Sequence, residues 1–275
     1  MALSLAAGVI SLNDFQEVLS RYDALIQSVS KPSNKDGKGL QELDTYRLVT
    51  VPTRLEKVRQ ESGELYLEKE EVESLIRWKL KHGKFRPSLL QLVLSNSDSQ
   101  IKAATVSAFT LLLQDTSVQT GVLPALNKLT VLKGIGPASA SLLLSVAFPK
   151  NVPFFSDEAF RWVMTGVDFS NNAGGKGWDR NIKYDKKEYG EFIRRVREVI
   201  QRLGGDIGAV DVEKVGWVLG KEKAMIQGDG VHAQEASGAS RPVAKKEAKT
   251  VKRKIGDTTS VGDQCQTRRS KRSRK

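Results

Sequence analysis

The nine residues Leu132-Lys133-Gly134-Ile135-Gly136-Pro137-Ala138-Ser139-Ala140 have the types and spacing needed to hold a phosphate with backbone alone. Gly134 and Gly136 leave their amide N–H groups uncovered, and Pro137 suits the first turn of a helix whose positive end points at the same place. In this reading Lys133, Gly134, Ile135, Gly136, Ala138 and Ser139 form the nucleic-acid contact, with Ile135 also anchoring the turn and Ala140 letting two helices approach closely. A tight connector between helices needs the same two glycines, so that plainer role stands beside the phosphate-binding one. A second group, Trp78-Lys79-Leu80-Lys81-His82-Gly83-Lys84-Phe85-Arg86-Pro87, interleaves bases with aromatic rings. Lys79, Lys81, Lys84 and Arg86 can track phosphates while Trp78 or Phe85 stacks on a base. Bases at a helix C-terminus are also favoured by the dipole alone.

Ser156-Asp157-Glu158 precedes an apolar periodic stretch, the place where any helix requires a cap. The single cysteine, Cys265, excludes an intrachain disulfide, a cysteine-rich zinc site and a four-cysteine iron-sulfur cluster. No metal and no cofactor are expected. Met1 to Ile10 is apolar but short and has no basic flank, so neither a signal peptide nor a membrane span is expected.

Helical periodicity supplies the elements that must carry these residues. Leu12 to Val29, Glu68 to Lys81, Leu89 to Leu94, Ile101 to Leu113 and Val122 to Leu132 place apolar residues three and four apart. After the glycine turn, Asp157 to Val167, Tyr189 to Leu203 and Val212 to Leu219 do the same. Lys31 to Gly39 and Asn171 to Gly177 read as loops. No alternating strand pattern competes, and 39% hydrophobic content suffices for a core.

From Gly228 onward there are 13 basic and 5 acidic residues, a net of +8 out of the chain's +12. The excess charge therefore belongs to a tail of low hydrophobicity that is expected to be disordered. Its clusters, Lys245, Lys246, Lys252, Arg253 and Lys254, then Arg268, Arg269, Lys271, Arg272, Arg274 and Lys275, have the density of nuclear import signals. An import receptor is the expected partner, with nucleic acid as the second use of the same charge.

The segment from Leu132 to Trp162 resembles the helix-hairpin-helix DNA glycosylase superfamily, whose motif runs from the hairpin to an aspartate some two dozen residues on. LKGIGPASASLLLSVAFPKNVPFFSDEAFRWV has that form, and Leu90 to Phe109 looks like the helix pair that opens the family's domain. The resemblance implies that Asp157 is catalytic if the chain is an enzyme, with Phe154, Phe155 and Trp162 near a flipped base. It also implies no strand cleavage by the hairpin route, because Ala138 stands where bifunctional members carry a lysine. Asp157 lies one residue further from the hairpin than in the family, Arg161 one residue nearer, and the cluster cysteines are missing. The Trp78 to Pro87 segment with this hairpin also resembles a set of uncharacterised eukaryotic proteins, which implies architecture rather than activity.

The sequence thus predicts an all-α domain over residues 1–227, with a helix-hairpin-helix at 122–149, and a disordered basic tail at 228–275. The leading expectation is a nuclear DNA-binding protein that grips the backbone without catalysis; the same contacts suit RNA. A monofunctional glycosylase using Asp157 and a protein-interaction domain localised by its tail are the alternatives.

Overall fold

A computed structural model of the chain describes residues 5–30, 38–114, 118–166 and 177–235, without the side chains of 118–120 and 226–235. Every regular element among the described residues is helical: α1 (Leu12–Ser20), α2 (Tyr22–Val29), α3 (Leu40–Thr45), a π-helical turn (Tyr46–Thr50), α4 (Val51–Glu61), α5 (Lys69–His82), α6 (Leu89–Leu94), α7 (Asp98–Gln114), α8 (Val118–Leu129), α9 (Pro137–Ala147), α10 (Asp157–Val163), a 3-10 turn (Gly177–Asp179), α11 (Lys186–Leu203) and α12 (Ala209–Glu235). Residues 1–232 form one compact unit; in the second, 233–275, the described part is the end of α12. The tail clusters between Lys245 and Lys275 lie outside the described residues. No described helix is long and apolar enough to cross a membrane.

Local chemistry sets the helix ends. Helix α5 begins where the Glu71 carboxylate accepts the Glu68 amide at 2.9 Å, and it carries acids in its first turn and Lys79, Lys81 and His82 in its last. Both distributions complement the macrodipole. Helix α7 starts at Asp98, three residues before the expected Ile101, because Ser97 and Gln100 cap it reciprocally at 3.2 and 2.9 Å. The expected helix Leu12 to Val29 is divided at Arg21, whose amide reaches back three residues to Val18. The division leaves Phe15 and Val18 on one buried face and Tyr22 and Ile26 on another.

Two further boundaries differ from the sequence reading. Helix α12 passes the expected domain end at 227 and continues to Glu235, so residues 228–235 are helical. Once a helix is nucleated each further residue gains a hydrogen bond, and Gly228 and Gly230 oppose this by only about 1 kcal/mol apiece. The segment from Leu40 to Glu61, for which no helix was expected, forms α3, the π-helical turn and α4. Its periodicity is masked because two of its core positions are charged. Asp44 accepts hydrogen bonds from the Trp78 indole at 2.7 Å and the Tyr22 hydroxyl at 2.9 Å. Arg47 makes a two-pronged contact with Glu213 at 2.8 and 2.5 Å, both side chains 2% exposed.

Over this polar core the His82 ring stacks between Trp78 and Trp217, with centroid separations of 4.2 and 4.7 Å. The stack joins α5 to α12. Helix α12 in turn lies tightly on α10: a Cβ at Gly216 would stand 2.6 Å from the Ala159 Cα, closer than packed atoms come. The helix that begins with Asp157 is thereby fixed against the core.

Candidate nucleic-acid interface

The turn between α8 and α9 is held from outside by one side chain. Asn96, 3% exposed, accepts the Lys133 amide at 2.9 Å and donates to the Lys133 carbonyl at 3.0 Å. Gly134 has φ +78°, and a Cβ there would lie 2.9 Å from the Val93 side chain and 3.1 Å from its backbone nitrogen. That glycine is required by its conformation and by its approach to α6. Gly136 differs: its φ of −89° and ψ of −178° are open to any residue, and an added Cβ would meet nothing within 4 Å. What glycine leaves there is an uncovered amide at the head of α9. Among the described residues no backbone acceptor takes the amides of Gly134, Gly136 or Ala138.

These residues line a cavity of about 290 Å³, near the lower end of small-ligand sites. Its lining includes Gly134, Gly136, Ala138 and Ser139 from the turn and α9, Lys79, Lys84 and Arg86 from α5 and the segment after it, and Asp157 with Tyr184. The structure thus unites two groups that lie far apart in sequence with the aspartate that follows the turn. Three expected contacts are not part of it. Ile135 is a buried anchor, 4% exposed, while Lys133 and Lys81 are exposed away from the lining. Trp78 is also excluded from stacking on a ligand, being fully buried beneath His82 and the Arg47 guanidinium. Phe85 remains available at 70% exposure. Phe154 and Phe155 contribute to the lining, but Trp162 points into the core, where its indole donates to the Leu5 carbonyl at 2.7 Å.

Asp157 is not the cap of α10. Ser156 performs that task, accepting the Ala159 amide at 3.1 Å, and Asp157 follows it as the first helical residue. Its carboxylate accepts a hydrogen bond from the Tyr184 hydroxyl at 2.7 Å and lies 3.8 Å from Arg161. Tyr184 has φ +56°, the one left-handed backbone of a non-glycine residue among those described. Its amide and that of Lys183 both donate to Glu188, which holds the strained residue in place. Burial, and then the hydrogen bond to Asp157, push the Tyr184 phenol above its ordinary range, so it stays a donor.

Two neighbours have perturbed charge. Burial first, and then repulsion from Arg86, pull Lys79 down to about 8, against a partial opposing pull from Asp157. Burial, followed by Arg47 and Lys221, depresses His82 well below its ordinary value, and its Nε2 has no partner among the described residues. Asn96, His82, Lys183 and Tyr184 escaped the sequence reading as functional residues; only His82 carried a signal, its place inside the basic segment. No group of three His, Cys, Asp or Glu arranged for a metal occurs among the described residues. Comparison with protein-family models, curated proteins and solved structures finds no match to the chain.

Proposed function

We propose that this chain is a nuclear DNA-binding protein of helix-hairpin-helix, DNA-glycosylase-like type that receives a backbone phosphate at the turn between α8 and α9. The observation that carries the reading is the shared cavity, which Gly134, Gly136 and Ala138 of the turn line together with Lys79, Lys84 and Arg86. Amides fix a phosphate geometrically, and the cations supply the salt-sensitive part of the affinity. The basic tail, through an import receptor, supplies nuclear residence.

The test is binding of the whole chain to duplex DNA across a salt series, in a background where eight of the 13 tail lysines and arginines are replaced by glutamine, so that the remaining five balance the 5 acidic residues. Gly136→Asp sets a carboxylate at the proposed phosphate position without disturbing the turn. It is expected to abolish binding, and each lost phosphate contact flattens the log K against log salt slope by about 0.9. Unchanged binding by this variant refutes the phosphate site. A chain with a neutral tail that binds no nucleic acid leaves the protein-interaction reading in its place.

A second reading is favoured by Asp157. A carboxylate free of capping duty, beside the turn and in a cavity, suits hydrolysis of an N-glycosidic bond, where it stabilises positive charge growing on the sugar and orients water. Release of a free base from lesion-bearing oligonucleotides, lost in Asp157→Asn, is the expected result; release retained by that variant refutes the role.

A further inference from the structure

We propose that Lys79 is an amine nucleophile that captures the aldehyde of a phosphate-bearing sugar as an imine. The inference rests on the reading of this cavity as a phosphate site and adds a covalent chemistry to it. Lys79 is the half-buried lysine of the lining, whereas Lys84 and Lys183 are exposed. No carboxylate lies within ion-pair distance of its amine among the described residues. A lysine that serves only to hold phosphate is better left hydrated, and Lys84 and Arg86 are both exposed. Lys79 is instead desolvated and set beside a second cation, the arrangement that turns an ammonium into a usable nucleophile. With its pKa at about 8, about a quarter of the amine is neutral at pH 7.5, against roughly 0.1% for an ordinary lysine.

The surroundings select the partner. A neutral primary amine adds to a carbonyl, and the amides of Gly136 and Ala138 with Lys84 and Arg86 favour a carbonyl compound that bears phosphate. Ala138 gives the turn no amine of its own, so the nucleophile comes from α5. In the reaction the Nζ lone pair forms a bond to the aldehyde carbon, and the carbonyl π pair moves to oxygen, which takes up a proton. Nitrogen releases a proton through solvent to the Asp157 carboxylate, which lies beyond direct ion-pair distance, and the proton returns to the hydroxyl by the same route. That oxygen then departs as water while the nitrogen lone pair closes the C=N bond. One amine, one aldehyde and the proton that the oxygen took from solvent give one protonated imine and one water, with no oxidant or reductant.

Two sources carry this chemistry: a base-free sugar within DNA and a free phosphosugar. The whole 275-residue chain is treated with sodium borohydride in the presence of either a duplex containing one abasic site or 2-deoxyribose 5-phosphate, and the reduced adduct is located by peptide mapping. A stable adduct on Lys79 is expected with at least one probe, and its loss in Lys79→Arg and Lys79→Gln, both checked for a single cooperative melting transition. Lys79→Arg keeps the charge but cannot form the imine, so loss in that variant separates capture from electrostatic binding. Adducts confined to other lysines, no adduct with either probe, or an adduct retained in Lys79→Arg overturns the proposal. Duplex binding is read in the same mixtures: binding without capture defeats the nucleophile and spares the DNA reading. Capture of the phosphosugar without duplex binding does the reverse.

Discussion

Replacing Gly134 and Gly136 by alanine, one at a time, separates two roles that the G-x-G spelling merges. At Gly134 the φ of +78° costs an L side chain about 1–2 kcal/mol. The new methyl, 2.9–3.1 Å from Val93 and Leu92 atoms, adds an overpacking cost of about 1–3 kcal/mol. The sum, about 2–5 kcal/mol, corresponds to a melting temperature lower by roughly 4–20 °C for a domain of this size. At Gly136 the backbone is ordinary and the space is empty. There alanine changes stability by nothing, or raises it by about 0.4–1 kcal/mol through the unfolded chain. Calorimetry and urea titration of the two variants beside the wild type measure both numbers. Equal losses, or a neutral Gly134→Ala, would refute the assignment of Gly134 to packing and Gly136 to ligand.

Glu213→Ala leaves Arg47 charged, buried and unpaired, and is expected to destabilise the fold by about 3–5 kcal/mol in urea titration; a loss below about 1 kcal/mol would mean that water reaches the pair. Ser156→Ala removes the cap of α10 and should cost about 1 kcal/mol, whereas Asp157→Asn should stay within about 0.5 kcal/mol; the opposite order would make Asp157 the structural residue. For Lys79 the native pKa of about 8 lies below that of the unfolded chain. Between about pH 8 and 10.4 the unfolded state therefore holds more protons, and stability rises with pH across that window. Urea midpoints of wild type and Lys79→Gln from pH 7.5 to 10 should converge as pH rises, and parallel curves would contradict the shift.

The helices were legible wherever their core faces are apolar: α5 and α6 lie within a residue of the expected spans because Val72, Leu75, Ile76 and Val93 repeat at helical spacing. Leu40 to Glu61 was not, because Asp44 and Arg47 fill core positions and their partners, Trp78 and Glu213, are remote in sequence. The site divides the same way. Gly136, Lys79, Lys84, Arg86 and Asp157 announce themselves by type and local spacing. Tyr184 and Asn96 matter through contacts made across 27 and 37 residues, which no local pattern encodes. The two glycines show the limit within a single motif: only the neighbourhood of α6 distinguishes a residue needed for space from one needed for its bare amide.

The ring stack of Trp78, His82 and Trp217 gives the cavity an optical consequence. Its middle ring belongs to the cavity lining, and the outer two are indoles, two of the four tryptophans in the chain. Protonated imidazole quenches indole emission, but this imidazole is held neutral by burial and by Arg47 and Lys221. The emission of this pair is therefore expected to stay steady through mildly acidic solution, so that a change on adding a ligand reports contact at the His82 side of the cavity. Occupancy of the cavity can be read from the intrinsic fluorescence of the unlabelled protein.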